Sequence, residues 1–433
     1  MSTIQIAVIT LGVMLLLGMP IFMTLVIAAT AALYFGASGL PLSLVLNGLF
    51  EGINIFTLLA IPCFVVAGSL MESGNITNQI IAVAKMICGR AYGGLGITTI
   101  LACTFFAAIS GSGPGTVAAV GTLMIPAMVK NGYSRDYAAA AASSGGTIGI
   151  MIPPSNPMII YAILGNLSVT AMFTAGFIPG FFVAVCMMST AYLIARRKGF
   201  KGDADTPPFE IRAFLKTCRA SFFSLMTPVI ILGSIYSGYA TPVEASVVAI
   251  MYALFVGIVV NRSLRIKHLY TALLEGVMTC GTVLIIVGSS TLFGKILTYE
   301  QAPLMLANMI FKFTHNPTVV LVLIICLLYL LGMFMETLST LIILVPVLLP
   351  VIVQLGIDPI HFGVILVLTN ETALLTPPLG VNIFVSSRIA GIPVERNAVA
   401  VLPYVATLTF CVLTITFFPA IATWLPKVLG YGV

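Results

Sequence analysis

Long apolar stretches recur along almost the whole chain, and this pattern constrains the fold more than any other feature of the sequence. The 433 residues are 60% hydrophobic and 7% charged, whereas a soluble domain carries about 25% charged residues. Several stretches approach the ~20 residues with which a helix crosses a bilayer. The clearest are 4–19, 21–35, 56–68, 95–108, 171–195, 222–237, 243–260, 276–293, 319–331 and 398–420. We therefore expect an all-α polytopic membrane protein.

Two clusters of basic residues set the predicted orientation. One lies within 196–219 and the other within 262–267, and two apolar stretches separate them. The positive-inside rule places both clusters in the cytoplasm. Residues 195–221 are then a cytoplasmic linker, and both termini lie in the periplasm of a bacterial inner membrane. The net charge of +6 is typical of this asymmetry, so it does not indicate nucleic-acid binding.

The chain also repeats a layout of prolines and glycines. Pro153-Pro154 has a counterpart in Pro377-Pro378, and Gly132 has one in Gly356, each at an offset of 224 residues (377 − 153 and 356 − 132). In the predicted topology the two copies cross the membrane in opposite directions. Such inverted repeats are typical of secondary transporters. We expect about ten transmembrane helices plus two re-entrant hairpins.

Each repeat, 1–194 and 222–433, carries two interruptions at membrane depth. The first is a short polar or glycine-rich run between two apolar arms, which indicates the tip of a re-entrant hairpin. The second is a Pro-Pro pair, which breaks a helix because proline lacks an amide proton and clashes with the preceding turn. The predicted hairpins lie near 93–128 and 317–352, and the predicted broken helices lie near 137–165 and 358–391.

Unwound backbone at membrane depth survives only inside protein or against a polar cavity, because unsatisfied groups are costly in hydrocarbon. Freed carbonyl oxygens suit a small cation, and freed amides at helix N-termini favour an anion. An anion–sodium symport site needs this mixture. The alternative is that each Pro-Pro pair only kinks a helix. Side chains that add oxygens or amide donors are Ser110, Ser112, Ser155, Asn156, Thr376 and Asn382.

Two carboxylates fall at the interruptions of the second repeat. Glu336 stands at the predicted hairpin tip, where an intramembrane carboxylate is costly and usually functional. It would assist cation binding or order the tip by hydrogen bonding. Glu371 lies about one turn before the Pro-Pro pair, where it would pair with a neighbouring helix or contact the cargo. The three histidines and eight cysteines are scattered without metal-ligand spacing, so we expect no cofactor.

At these interruptions the sequence resembles the large membrane subunit of tripartite ATP-independent periplasmic (TRAP) transporters. Together and in this order the matching motifs are specific, whereas any one alone is weak. The matching stretches are 109–121 (ISGSGPGTVAAVG), 130–135 (KNGYSR), 149–155 (GIMIPPS), 239–245 (YATPVEA), 332–336 (GMFME) and 375–382 (LTPPLGVN).

The resemblance implies an elevator mechanism, in which a transport domain with both hairpins and both broken helices slides against a fixed scaffold domain. It implies two protein partners, a small four-helix membrane subunit and a soluble periplasmic substrate-binding protein. It also implies sodium as the coupling ion and an organic acid as the cargo. Because the chain starts directly with large-subunit helices, we expect the small subunit to be a separate protein.

The resemblance also assigns roles by position. One sodium site would use Ser110 with backbone oxygens around Gly149, Ile152 and Pro154. The second would use Gly332 and the stretch from Thr372 to Thr376. The substrate would sit between them, near Ser112, Ser155 and Asn156, and we expect Glu336 and Asn382 to belong to the same substrate-binding set. The family often has aspartate where this chain has Glu336, and the longer side chain leaves its direct role open.

Two other functions compete with this interpretation. A stand-alone dicarboxylate–sodium symporter shares inverted repeats and hairpins but needs no periplasmic partner. An intramembrane enzyme needs a nucleophile with its base, or clustered acids for a metal, and the sequence has neither pattern. An ATP-driven pump is excluded for this chain because it has no GxxxxGKS/T loop.

Overall fold

A computed structural model of the chain describes residues 2–431, apart from 37–38, 204–209, 303, 306–307, 309–313, 315, 334 and 378–379. Every regular element in the described part is helical, and no strand occurs there. The predicted all-α class is therefore confirmed. Of the residues used in the sequence motifs, Phe334, Pro378 and Leu379 lie outside the described residues.

The helices follow one another with short connections. In residues 2–202 they are α1 (Thr3–Leu16), α2 (Ile21–Phe35), α3 (Ser43–Ile53), α4 (Ala60–Ser73), α5 (Ile76–Cys88), α6 (Gly94–Ser110), α7 (Gly113–Lys130), α8 (Arg135–Ile148), α9 (Asn156–Leu164) and α10 (Val169–Lys198). After residue 210 they are α11 (Ile211–Ala220), α12 (Phe222–Tyr236), α13 (Pro242–Leu254), α14 (Ile266–Tyr299), α15 (Pro317–Gly332), α16 (Thr337–Gln354), α17 (Pro359–Ala373), α18 (Val381–Ala390), α19 (Val394–Phe417) and α20 (Ala420–Val428).

Six of the described helical segments are long and apolar enough to cross a bilayer by themselves. Helices α11 and α12 meet at 68° and would make a seventh span if they are counted as one. Shorter apolar helices of 10–17 residues, among them α6, α15 and α18, accompany them. The chain is thus a multi-pass membrane protein, as the composition indicates, while the total of about ten spans stays a prediction.

Two helix pairs and two interrupted helices stand where the sequence places hairpins and breaks. Helices α6 and α7 pack against each other around a turn at Gly111, and α15 and α16 meet around the turn that contains Glu336. Helices α8 and α9 are separated by residues 149–155, and α17 and α18 by residues 374–380. These bounds differ from the predicted ranges by at most two residues. The inverted relation between the two halves stays a prediction.

Small residues let α8 pack closely on its neighbours. All side chains of α8 from Tyr137 onward are buried, and most are alanine, serine or glycine. A Cβ atom on Gly145 would lie 2.9 Å from Sγ of Cys103 in α6, and one on Gly146 would overlap Val117 in α7. Helices pack through such residues in membranes because small side chains let backbones approach. This packing sets the first broken helix against the first hairpin.

A second packing group surrounds α14, which contacts α2, α3 and α4. A Cβ atom on Gly52 would lie 2.7 Å from Cα of Gly288, so glycine permits the close approach of α3 and α14. Helix α14 also packs against α16, where Oγ of Ser290 donates a 2.6 Å hydrogen bond to the carbonyl of Ile342. The division of these groups into scaffold and transport domains stays a prediction.

Candidate functional site

The first hairpin tip is a tight turn organised by two serines. Gly111 ends α6 with φ of 61°, a left-handed conformation that glycine adopts without strain. The hydroxyl of Ser112 caps α7 by accepting a 3.4 Å hydrogen bond from the amide of Gly115. Oγ of Ser110 donates to the Ser112 carbonyl at 3.2 Å. The turn therefore gathers several oxygen atoms at one point.

The first break lies directly against this tip. The amide of Asn156, the first residue of α9, donates a 3.3 Å hydrogen bond to the carbonyl of Gly111. A Cβ atom on Gly111 would lie 2.8 Å from the carbonyl oxygen of Pro154, and the Pro153-Pro154 peptide bond is cis. The hydroxyl of Ser155 caps α9 by accepting from the amide of Met158 at 3.4 Å. The first hairpin tip and the first break are thus in direct contact with each other.

The second tip and the second break meet in a similar way. A Cβ atom on Gly332, the last residue of α15, would lie 2.6 Å from Cβ of Ala373 and 3.3 Å from Oδ1 of Asn370. Oγ1 of Thr337 donates a 2.7 Å hydrogen bond to Oε1 of Glu371. Glu336 precedes α16, and its side chain is exposed and makes no capping hydrogen bond.

All four interruptions border one cavity of about 70 Å³, which has room for several water molecules. Its wall includes the first residues of four helices, represented by Gly113 of α7, Asn156 of α9, Thr337 of α16 and Val381 of α18. Helix N-termini carry unsatisfied amides and partial positive charge, so their convergence favours an anion. Glu371 also lines the cavity.

Several buried polar atoms without a hydrogen-bond partner belong to residues at or next to the four interruptions. Among the described residues they include Oδ1 of Asn156, Oε2 of Glu371, and both side-chain polar atoms of Asn370 and of Asn382. Buried polar groups are almost always hydrogen-bonded, and each unmade bond costs about 1–3 kcal/mol. Such a cluster of unpaired groups offers hydrogen-bonding positions to water molecules or to a bound ligand.

The residues predicted for the first sodium site lie close to one another. A Cβ atom on Gly149 would lie 2.6 Å from Oγ1 of Thr116 and 3.0 Å from the carbonyl oxygen of Ser112. Thr116 Oγ1 is 3.5 Å from Oγ of Ser110. The Pro154 carbonyl stands beside Gly111 of the same tip. The side chain of Ile152 points away and packs against Gly180 of α10, so only its backbone is available.

The residues predicted for the second sodium site are partly engaged within their own segment. Oγ1 of Thr372 donates to the Leu368 carbonyl at 2.7 Å, and Oγ1 of Thr376 donates to the Ala373 carbonyl at 2.5 Å. Both hydroxyls keep acceptor lone pairs, since each donates its single proton. Gly332 lies beside the same segment, because a Cβ atom on it would lie 2.6 Å from Cβ of Ala373.

Of the residues predicted for the substrate, Ser112, Asn156 and Glu336 line the cavity. Asn382 follows Val381 at the start of α18 and is fully buried. Ser155 is also fully buried, but its hydroxyl is used as a helix cap. The structure therefore brings most of this set to one place, and Ser155 serves there as a support of α9.

Three residues of the site were not singled out from the sequence. Thr116 joins the oxygen cluster of the first tip, Thr337 binds Glu371, and Asn370 faces Gly332. Asn370 had a visible signal, because an amide side chain inside an apolar helix is costly unless it is used. Among the described residues no group of three or more His, Cys, Asp or Glu side chains could hold a metal ion, so a cation here would depend on hydroxyl, carbonyl and amide oxygens.

The sequence is similar to those of known membrane transporters. Residues 8–421 match the family described as tripartite ATP-independent periplasmic transporter, DctM component. The isethionate TRAP transporter permease protein of Oleidesulfovibrio alaskensis is 38% identical over 94% of this chain, which spans 64% of that relative's length. The C4-dicarboxylate TRAP transporter large permease protein of Pseudomonas aeruginosa is 38% identical over 88% of this chain and 89% of its own.

A solved structure shows the same fold at lower identity. The YdaH transporter of Alcanivorax borkumensis superposes with a TM-score of 0.61 at 15% identity, covering 90% of this chain and 89% of that chain. The named relatives are permeases and not enzymes, so the prediction that the chain is no enzyme is confirmed. The family match over nearly the whole sequence confirms the resemblance, and the chain belongs to the DctM component, or large permease, of the tripartite ATP-independent periplasmic transporters.

Proposed function

We propose that the chain imports a small organic acid anion across the bacterial inner membrane, driven by a sodium gradient. The observation that carries this proposal is the cavity bordered by the N-termini of four helices, because such a convergence of partial positive charge suits a carboxylate or sulfonate. The cargoes in the relatives' names, isethionate and C4-dicarboxylates, are anions of this kind.

Sodium coupling is supported by the chemistry of the two predicted cation sets. The first brings together Oγ of Ser110, the carbonyl of Ser112 and Oγ1 of Thr116 beside Gly149. The second has hydroxyls at Thr372 and Thr376 beside the Gly332 turn. Oxygen ligands of this type suit hard cations. A bound sodium ion would supply positive charge that offsets the charge of the cargo, while the hydrogen bonds of these residues hold the first tip and the second break in shape.

Two protein partners and an elevator motion complete the proposal. The family is described as a tripartite periplasmic transporter, which supports a small four-helix membrane subunit and a soluble periplasmic binding protein that delivers the cargo. The hairpins and broken helices would move together because α6, α7 and α18 pack on α8, whereas α16 packs on α9 and α15 packs on α17. In this arrangement both termini lie in the periplasm.

Uptake into proteoliposomes tests the proposal. The vesicles would hold this chain with its small membrane partner, an inward sodium gradient and a panel of labelled organic acids, with and without the binding protein. Uptake that requires both sodium and the binding protein is expected. Uptake with sodium alone would favour a stand-alone symporter, and uptake that ignores the sodium gradient would contradict the coupling.

A further inference from the structure

Helix α11 presents an apolar edge and a basic edge side by side, and none of its side chains is buried. Ile211 and Leu215, four residues apart, are each 59% exposed. Arg212, Lys216 and Arg219, spaced by four and three residues, are also exposed. Residues with such spacings share one face of a helix, so the two sets form two adjacent edges that run along α11.

The basic edge carries three positive charges that no acid within the helix balances. The sequence of α11, IRAFLKTCRA, contains no acidic residue. The ion pairs found among the described residues lie elsewhere in the chain and include no side chain of α11. The exposed Glu210 directly precedes the helix and offsets at most one of the three charges. A net positive edge therefore remains beside the exposed apolar side chains.

A fixed corner holds α11 at a steep angle to the next helix, and the two meet at 68°. At this corner Oγ of Ser221 donates to the Gln79 carbonyl at 3.3 Å, and Oγ of Ser224 donates to Oε1 of Gln79 at 2.6 Å. Nε2 of Gln79 donates in turn to Oδ1 of Asn261 at 2.8 Å. These bonds attach the corner to α5 and to the segment that follows α13. In the predicted topology α12 crosses the bilayer, so α11 turns toward the membrane plane.

A groove of about 390 Å³ lies between α11 and α5. Lys216 and Thr217 line it from α11, and Asn78 and Ala82 line it from α5. Nδ2 of Asn78 uses one of its two protons on Oδ1 of Asn75 and keeps the other. The groove thus offers an ammonium group and an amide proton, and hydrogen bonds from a charged donor to a phosphate oxygen are among the strong ones.

We propose that α11 lies in the interface of the membrane leaflet on its side and binds anionic phospholipid headgroups. Ile211 and Leu215 would enter the acyl region, Arg212 and Arg219 would contact headgroup phosphates, and Lys216 would hold one phosphate in the groove beside α5. Amphipathic helices with basic polar faces lie in such interfaces, and each basic side chain near the surface adds to the attraction for anionic lipids.

A lipid surface accounts for both edges of α11 at once. An acidic protein partner would balance the charge but would not by itself remove Ile211 and Leu215 from water. Phe222 and Phe223, at the start of α12, are also exposed, at 50% and 40%, so apolar side chains continue past the corner. The predicted orientation makes this leaflet cytoplasmic. The proposed binding requires neither a cargo nor a sodium gradient.

Fluorescence quenching by brominated phospholipids tests the proposal with the full chain in vesicles. The chain has one tryptophan, Trp424, which is exposed on α20. Trp424→Phe removes it, and Leu215→Trp places a single reporter on the apolar edge of α11. Bromine on the acyl chains quenches a tryptophan that touches them. We expect quenching by dibromo-phosphatidylcholine and by dibromo-phosphatidylglycerol, with a preference of about fivefold for the anionic lipid.

Two changes made in this reporter protein test the basic edge and the groove separately. The triple variant Arg212→Gln, Lys216→Gln, Arg219→Gln should lower the preference to about one, because the charge that attracts the anionic lipid is lost. Ala82→Leu narrows the groove without changing any charge, and it should lower the preference by roughly twofold or more. In both variants phosphatidylcholine should still quench the reporter, which shows that α11 has stayed in the membrane.

The matched control removes the same charge from the same predicted side of the membrane. The triple variant Arg196→Gln, Arg197→Gln, Lys198→Gln changes three exposed residues at the end of α10, and it should keep the preference measured at α11. An equal loss in the two triple variants would assign the preference to the overall charge of the chain and overturn the proposal.

Other results would also overturn it. If neither lipid quenches the reporter, α11 lies outside the membrane. If the preference survives in the α11 triple variant, its basic side chains do not bind headgroups, and if it survives in Ala82→Leu, the groove is not the place of a phosphate. Because the vesicles hold no cargo and no ion gradient, none of these results decides the proposed transport, which its own uptake test decides.

Discussion

Oγ1 of Thr337 donates a 2.7 Å hydrogen bond to Oε1 of Glu371 and thereby joins the second hairpin tip to the second broken helix. Both side chains are buried, Thr337 at 3% exposed and Glu371 at 2%. In a buried setting a hydrogen bond to a charged acceptor is worth about 1.5–3 kcal/mol. This contact answers the question that the sequence leaves open for Glu371, because it both pairs with a neighbouring helix and lines the cavity.

Removal of this hydroxyl should destabilise the protein. Thr337→Val keeps the shape of the side chain but leaves Oε1 of Glu371 without a donor, at a cost of about 1–3 kcal/mol. Thr122→Val is the control, because Thr122 is exposed on α7 and donates only to the Ala118 carbonyl of its own helix; its effect should stay within about 0.5 kcal/mol. Thermal unfolding in nanodiscs measures both, and equal shifts in the two variants would contradict the assigned role.

The close packing of α8 on α6 gives a second prediction. In Gly145→Ala the new Cβ would lie 2.9 Å from Sγ of Cys103, and such overpacking costs about 1–3 kcal/mol. Gly281→Ala in α14 is the matched control, because nothing lies within 4 Å of its Cβ position. There alanine should stabilise the helix by about 0.5–1 kcal/mol relative to glycine.

The cause of the Gly145→Ala effect can be isolated by a second substitution. Cys103→Ala removes the sulfur atom that the new methyl group meets, so the double variant Gly145→Ala, Cys103→Ala should be more stable than Gly145→Ala alone. Unfolding midpoints of the four proteins give the coupling energy. Additive effects would show that the cost arises elsewhere in α8.

Sodium dependence gives a third prediction, since the two predicted sodium sites contain hydroxyl oxygens. Ser110→Ala and Thr376→Ala should each raise the sodium concentration for half-maximal uptake by about fivefold to thirtyfold, which corresponds to 1–2 kcal/mol. Ser189→Ala is the control, because Ser189 is exposed on α10 and donates within its own helix to Val185. Unchanged sodium dependence in both site variants would rule out these two hydroxyls as ligands.

The sequence predicts the local features of this site because they depend on glycine, proline and serine chemistry. The break at Pro153-Pro154 and the turn at Gly111 follow from rules that act over a few residues. The described helices α8, α9, α17 and α18 accordingly begin and end close to the predicted bounds. Family membership also follows from motifs that can be read directly.

What the sequence does not give is the set of contacts between distant segments. The approach of Gly146 and Glu371 to Gly113 depends on how α8, α17 and α7 pack, and no local pattern encodes it. The amide of Asn370 is visible in the sequence as a polar group inside an apolar helix, but its position beside Gly332 appears only in three dimensions. Such contacts between distant segments depend on how the whole core packs, and the local sequence around each residue does not determine them.

The contact between the first tip and the first break gives the last prediction. Gly111 has φ of 61°, and a Cβ atom there would lie 2.8 Å from the carbonyl oxygen of Pro154. Gly132 also has positive φ, of 82°, but nothing lies within 4 Å of its Cβ position. Alanine at either position therefore costs about 1–2 kcal/mol of backbone strain, and at position 111 it also pushes the break away from the tip.

Both alanine variants strain the backbone, but only Gly111→Ala also brings a methyl group against the Pro154 carbonyl. Gly111→Ala should be less stable than Gly132→Ala by about 1–3 kcal/mol. It should also lose most of its sodium-driven uptake, because the carbonyl of Pro154 belongs to the predicted first sodium site and the amide of Asn156 would lose its bond to Gly111. Gly132→Ala should transport at close to the wild-type rate. Thermal unfolding and proteoliposome uptake of both variants measure these effects, and equal loss of transport in the two would show that backbone strain alone, and not the position of the break, controls the site.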